Sequence, residues 1–94
     1  MPTIGVLTLE IVLQNSHSLK DKRHVVQSLK DRLRGKFNVA VAEIDYQDLW
    51  QRAVVAAVTV SSDHVHAEKV LQSVEEEAAA LLGSELTGAT VEWL

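Results

Sequence analysis

The chain contains no cysteine, one proline and four glycines among its 94 residues. Without cysteine there can be no disulfide framework, no thiolate metal ligand and no thiol nucleophile. The single proline, Pro2, leaves the rest of the chain without a proline-marked linker or break. No apolar run approaches the 18 or so residues that a membrane helix needs. Met1-Pro2-Thr3 does not open a secretory signal, so the expectation is a soluble cytoplasmic protein with no membrane partner. Also absent are G-x-S-x-G, P-loop and dinucleotide-binding fingerprints, which leaves no cofactor to expect. What is present, 47% hydrophobic and 23% charged residues, is the composition of a globular protein. A chain this short holds one core, so residues 1–94 are read as a single domain.

The net charge of −4 argues against generic nucleic-acid binding, but it averages two unlike halves. From Lys20 to Lys36 there are seven basic residues against Asp21 and Asp31, a local balance of +5. From Asp63 to Leu94 only Lys69 opposes seven acids. Such a split can present one basic face on an acidic molecule, or simply two solvated helix faces.

Residues 3–14 alternate, with Leu7, Leu9, Ile11 and Leu13 forming the heavier apolar side of a strand that should face the core. Ser18 and Asp21 stand as an acidic capping box at the start of a helix over 19–34, with Gly35 as its left-handed stop. Residues 37–45 and 52–61 are two further strands, joined by Tyr46-Gln47-Asp48-Leu49-Trp50-Gln51, which is too long for a two-residue turn. Ser61-Ser62-Asp63 offers three N-cap candidates for a second helix over 63–82, and 89–94 is a last strand. The order β-α-β-β-α-β predicts an α+β, ferredoxin-like domain: an antiparallel sheet in the order 4-1-3-2 with both helices on one face.

That topology gathers Ser16 to Arg23, the 46–51 loop and the 83–88 turn at one end. A helix N-terminus favours anions. Lys20, Lys22, Arg23 and Arg52 would add charge there and Trp50 a stacking face, unless Trp50 instead buries against the sheet end while Asp48 or Glu43 pairs with Arg52. Lys22 falls in the middle of the apolar sector of its helix. Its stem either snorkels around the sheet end, the commoner outcome, or reaches a partner in the facing loop. Lys20, Arg23, Gln27, Lys30 and Arg34 form a polar stripe, spaced three and four apart, that could track phosphates.

Catalytic chemistry finds no support. Ser16, His17 and Asp48 make no more of a trio than any polar loop would. His64 and His66, two apart and without a third ligand, do not make a metal site. The helix-free sheet face should carry Val6, Thr8, Val12, Ala40, Ala42, Val55 and Ala57, interrupted by Glu10 and Glu92. It has none of the aromatics by which an RNA-recognition motif stacks bases. A smooth face of this kind suits another protein surface, a second copy included.

Two blocks, Ser18-Leu19-Lys20-Asp21-Lys22-Arg23 and Val41-Ala42-Glu43 through Gln47-Asp48-Leu49-Trp50-Gln51-Arg52-Ala53, resemble the YlxP-like family of small bacterial proteins, a family of unknown function. The resemblance implies a ferredoxin-like domain in the bacterial cytoplasm, encoded near translation-initiation and ribosome-maturation factors, and brings no catalytic residues. The sequence thus predicts a non-catalytic protein with no metal or cofactor. Its expected partner is RNA or a ribosomal particle, bound through Lys20, Lys22, Arg23, Lys30, Arg34, Trp50 and Arg52. The alternative is a protein-interaction or homo-oligomerisation module acting through the open sheet face, with no nucleic-acid role.

Overall fold

In the computed structural model, which describes residues 1–94, the elements run β1 (Thr3–Val12), α1 (Leu19–Lys36), β2 (Ala40–Asp45), β3 (Arg52–Ser61), α2 (His64–Leu82) and β4 (Leu86–Trp93). A 3₁₀ turn at Gly83–Glu85 links α2 to β4. The strands form one antiparallel sheet ordered β2-β3-β1-β4, the expected 4-1-3-2 order met from the opposite edge. Leu7, Leu9 and Ile11 of β1 share one buried cluster with Val26, Leu29 and Leu33 of α1 and with Leu71, Val74 and Ala78 of α2. Both helices therefore cover the same face, in the ferredoxin-like arrangement. Neither is long and apolar enough to cross a membrane.

The caps form as their residue types dictate. Ser18 Oγ accepts from the Asp21 N–H at 3.0 Å, and Asp21 Oδ2 accepts from the His17 N–H at 3.0 Å, closing the box. Asp63 Oδ1 accepts from the Val65 N–H at the start of α2. Gly35 does not stop α1, which continues to Lys36. The Phe37 N–H still donates to Leu33 O, and the Lys36 ammonium reaches Glu77 of α2 at 2.9 Å, so the last turn is held from outside. The next strand accordingly starts at Ala40 rather than at Phe37, after a turn in which Thr59 Oγ1 donates to Asn38 O. At the other helix end, Gly83 has φ +58°, a value that favours glycine.

Register decides which side of β3 faces the helices. Leu7 lies opposite Ala57, Leu9 opposite Val55 and Ile11 opposite Ala53, and all six are buried in the core. Val55 and Ala57 are both 0% exposed, which removes them from the open face expected of them. Val54, Ala56 and Val58 occupy that face instead, beside Val6, Thr8 and Glu10, because directly opposed residues point the same way.

One close approach limits the upper end of the core. A Cβ built on Gly5 would lie 2.6 Å from Trp93 Cζ3 and 2.7 Å from Leu71 Cδ1. The indole of Trp93 lies against the strand there, with its centroid 4.2 Å from that of His64. Gly5→Ala must push Trp93 outward or shift α2. A loss of about 1–3 kcal/mol is expected for such overpacking, seen as a thermal midpoint lower by roughly 5–20 °C. An unchanged midpoint would mean that the indole is not held there.

Candidate nucleic-acid interface

Lys22 occupies the apolar side of α1, and its stem does not snorkel. The side chain is 1% exposed. Nζ donates to three carbonyl oxygens, those of Tyr46 (2.6 Å), Arg52 (3.2 Å) and Gln47 (3.3 Å). An ammonium has three N–H bonds to give, and the three carbonyls take them. Glu43 Oε2 lies 2.9 Å from Nζ as an ion pair, but out of line for a hydrogen bond, and no other group donates to it. Tyr46 is the one non-glycine residue at positive φ, +61°. That backbone costs about 1 kcal/mol or more, and its carbonyl accepts from Lys22 as well as from the Leu49 N–H. Lys22 is therefore the internal fastener of the 46–51 loop and does not line an open anion pocket.

The anion site expected at the start of α1 is likewise occupied from within. Asp21 sets its own carboxylate at that end, and Ser18 takes the Asp21 N–H. The neighbouring Ser16 is buried and donates to Ser18 O.

The remaining basic residues of α1 divide into paired and unpaired. Arg32 and Lys36 both reach Glu77, at 3.2 and 2.9 Å, and Arg34 pairs with Asp31 at 3.1 Å. The hydrogen bond from Lys36, opposed by desolvation and joined by the nearby Arg32, holds the Glu77 carboxyl below its ordinary value of 4.5. This clamp between the helices is thus complete above that ordinary value and weakens as pH falls through the lowered one. Lys20, Arg23 and Lys30 have no acidic partner. All three line one open cleft of about 650 Å³ between α1 and β2, together with His24, Gln27 and Asp21, with Glu43 at its inner wall. Along the helix axis, Lys20 and Lys30 are about 15 Å apart.

Trp50 and Arg52 stand apart from this cleft. Trp50 is 52% exposed and does not bury against the sheet end. With Asp48, Leu49, Gln51 and Arg52 it lines a separate depression of about 470 Å³. The guanidinium of Arg52 lies 4.3 Å from the centre of the Tyr46 ring. Glu43 pairs with Lys22 and not with Arg52. The seven residues expected to act together therefore fall into four places: the cleft (Lys20, Arg23, Lys30), the fastener (Lys22), an ion pair on α1 (Arg34) and the loop depression (Trp50, Arg52). His24 and Glu43 line the cleft without having been singled out for it. A turn of helix beyond Lys20 points to His24, but nothing in its local sequence does so.

A family model described as a protein of unknown function, DUF503, matches residues 4–91. The chain belongs to this family. Its similarity to the uncharacterized protein YlxP of Bacillus subtilis (strain 168) is 39% identity over 90 residues, covering 96% of this chain and 98% of that protein. Among solved structures the chain is similar to the designed protein Foldit4, with TM-score 0.59 and 10% identity over 100% of this chain and 97% of that one. It is also similar to a dimeric ferredoxin-like protein of unknown function from Bacteroides fragilis NCTC 9343, with TM-score 0.56 and 13% identity over 98% and 94% of the two chains. A third likeness is to SnoaB, a cofactor-independent oxygenase of Streptomyces nogalater, with TM-score 0.53 and 13% identity over 100% and 92%. At these identities the likenesses are of fold alone.

Proposed function

We propose that this family member is a non-catalytic cytoplasmic protein that binds RNA through the cleft between α1 and β2. The observation that carries this reading is the division of the basic residues: Lys22, Arg32, Arg34 and Lys36 have acidic partners, while Lys20, Arg23 and Lys30 have none and line one cleft. Three unpaired cations held on one helix face suit a phosphate backbone better than a single small anion. Gln27 lies between them as a neutral donor and acceptor. His24 and Gln27 can meet base or ribose edges, but the cleft has no aromatic platform, so affinity rests on phosphate contacts.

The test is a titration of labelled single-stranded and hairpin RNA against the protein at 50 and 200 mM salt. Three phosphates neutralised on a single strand give a logarithmic salt slope of about −2, hence a loss of roughly twentyfold between the two conditions. Absence of binding at the lower salt would end the RNA reading and leave the sheet face as the remaining functional surface. Equal binding of DNA would broaden the ligand to single-stranded nucleic acid.

A further inference from the structure

The RNA reading leaves the helix-free sheet face unused. Its middle is apolar and small: Val54, Ala56 and Val58 of β3 run beside Val6 and Thr8 of β1. At its upper end Ile4 lies opposite Val60, and they are 38% and 59% exposed. Two charges interrupt the central strands, Glu10 on β1 and Arg52 at the start of β3, and neither has an ionic partner within the chain.

We infer that this protein is a homodimer packed sheet on sheet, with Glu10 of each copy paired to Arg52 of the other. The register carries the inference. Glu10 lies opposite Val54, and Arg52 comes two residues earlier on the same face of β3. A two-fold axis along the strands, between β1 and β3, lays β1 of one copy over β3 of the second. Glu10 then faces Val54 of the second copy, with Arg52 of that copy about 7 Å further along the strand. Aligned sheets pack about 10 Å apart, a gap that a glutamate and an arginine bridge together. The symmetry repeats the pair, so Glu10, and Arg52 beside the Tyr46 ring, each gain an ionic partner at once. Asp45 on β2 and Glu92 on β4 fall on the outer strands, where water at the rim solvates them.

The area is adequate. Four strands about 4.8 Å apart and about eight residues long give a footprint near 500 Å². The accessible surface of a pleated face exceeds its footprint, so two such faces approach the roughly 1,200 Å² at which specific interfaces begin. Small side chains at Ala56, Thr8 and Ala42 allow the close approach that this area requires.

The test is sedimentation equilibrium of the purified protein without RNA, up to about 0.5 mM, with far-UV circular dichroism reporting the fold. Wild type should reach twice the monomer mass of 10.4 kDa. Thr8→Lys, beside the axis, should be folded and monomeric. Glu10→Arg and Arg52→Glu should each weaken association at least tenfold, and the two together should restore it to within about threefold. A monomeric wild type, an oligomer indifferent to Thr8→Lys, or a double variant no better than the singles would each overturn the inference. Neither Glu10 nor Arg52 lines the α1–β2 cleft, so an RNA-binding monomer would sink the dimer alone, and a dimer without RNA affinity would sink the RNA reading alone.

Discussion

Lys22→Met is expected to lose about 3–5 kcal/mol of stability, the cost of removing one member of a buried ion pair. Methionine matches the stem in length and would keep the packing between α1 and the sheet. What disappears is the ammonium. The carbonyls of Tyr46, Gln47 and Arg52 lose their donor, and Glu43 Oε2, which has no other donor, keeps its charge beside an apolar side chain. Against the total of about 5–15 kcal/mol typical of such domains this is a large fraction, and the thermal midpoint should fall by roughly 15–30 °C. Lys22→Arg should recover little, because a planar guanidinium cannot point its donors at three carbonyls arranged around a single nitrogen. Pairing Lys22→Met with Glu43→Gln removes the stranded charge and should return part of the loss, which a double-mutant cycle would read as coupling of 1 kcal/mol or more. A Lys22→Met protein within about 1 kcal/mol of wild type would refute the fastener. So would a cycle without coupling.

The same residue shows where sequence reading succeeds and where it stops. Helical spacing places Lys22 among Leu19, Val26, Leu29 and Leu33, and that placement holds. Its partner was not legible. All three acceptors are backbone carbonyls, those of Tyr46, Gln47 and Arg52, and every residue has one, so no side-chain pattern marks them. The two blocks that resemble the family meet here, Lys22 from the first and Glu43, Gln47 and Arg52 from the second. Their co-occurrence is thereby accounted for by a packed lysine, without any ligand. On β3 the failure has another cause. Ala53 to Val58 are all apolar, so period two leaves no mark, and only register against Leu7 and Leu9 distinguishes Val55 and Ala57 from Val54 and Ala56. Strand β1 is read correctly because Thr8 and Glu10 break its open face, while Leu7, Leu9 and Ile11 make the other the heavier apolar side. The basic stripe was visible at its three-and-four spacing. Its one neutralised member, Arg34, pairs with Asp31 three residues away on the same helix. Arg32 and Lys36, outside the stripe, are taken by Glu77 of α2, 41 residues or more away along the chain, a pairing that only the fold supplies.

The unpaired members of the stripe set the second large effect. Replacing Lys20, Arg23 and Lys30 together by glutamine should remove nearly all RNA affinity, while Arg34→Gln, already paired with Asp31, should change it less than about twofold. The magnitude follows from counterion release. Three contacts with a slope of about −0.7 each contribute little at 1 M salt and about 2.7 decades at 50 mM, so the triple variant should bind several-hundredfold more weakly at the lower salt. Its remaining affinity should be almost independent of salt, which distinguishes lost phosphate contacts from a damaged fold. The three side chains make no ion pair within the chain, so thermal stability should stay close to wild type. Single replacements should each reduce the slope by about 0.7 and leave any preference between RNA sequences unchanged, since phosphate contacts carry no sequence information. If Arg34→Gln proves as damaging as the triple variant, the Arg34–Asp31 pair opens to the ligand and the contact surface is the whole outer face of α1, not the cleft. If the triple variant keeps wild-type affinity and slope, the three unpaired cations are an ordinary solvated helix face.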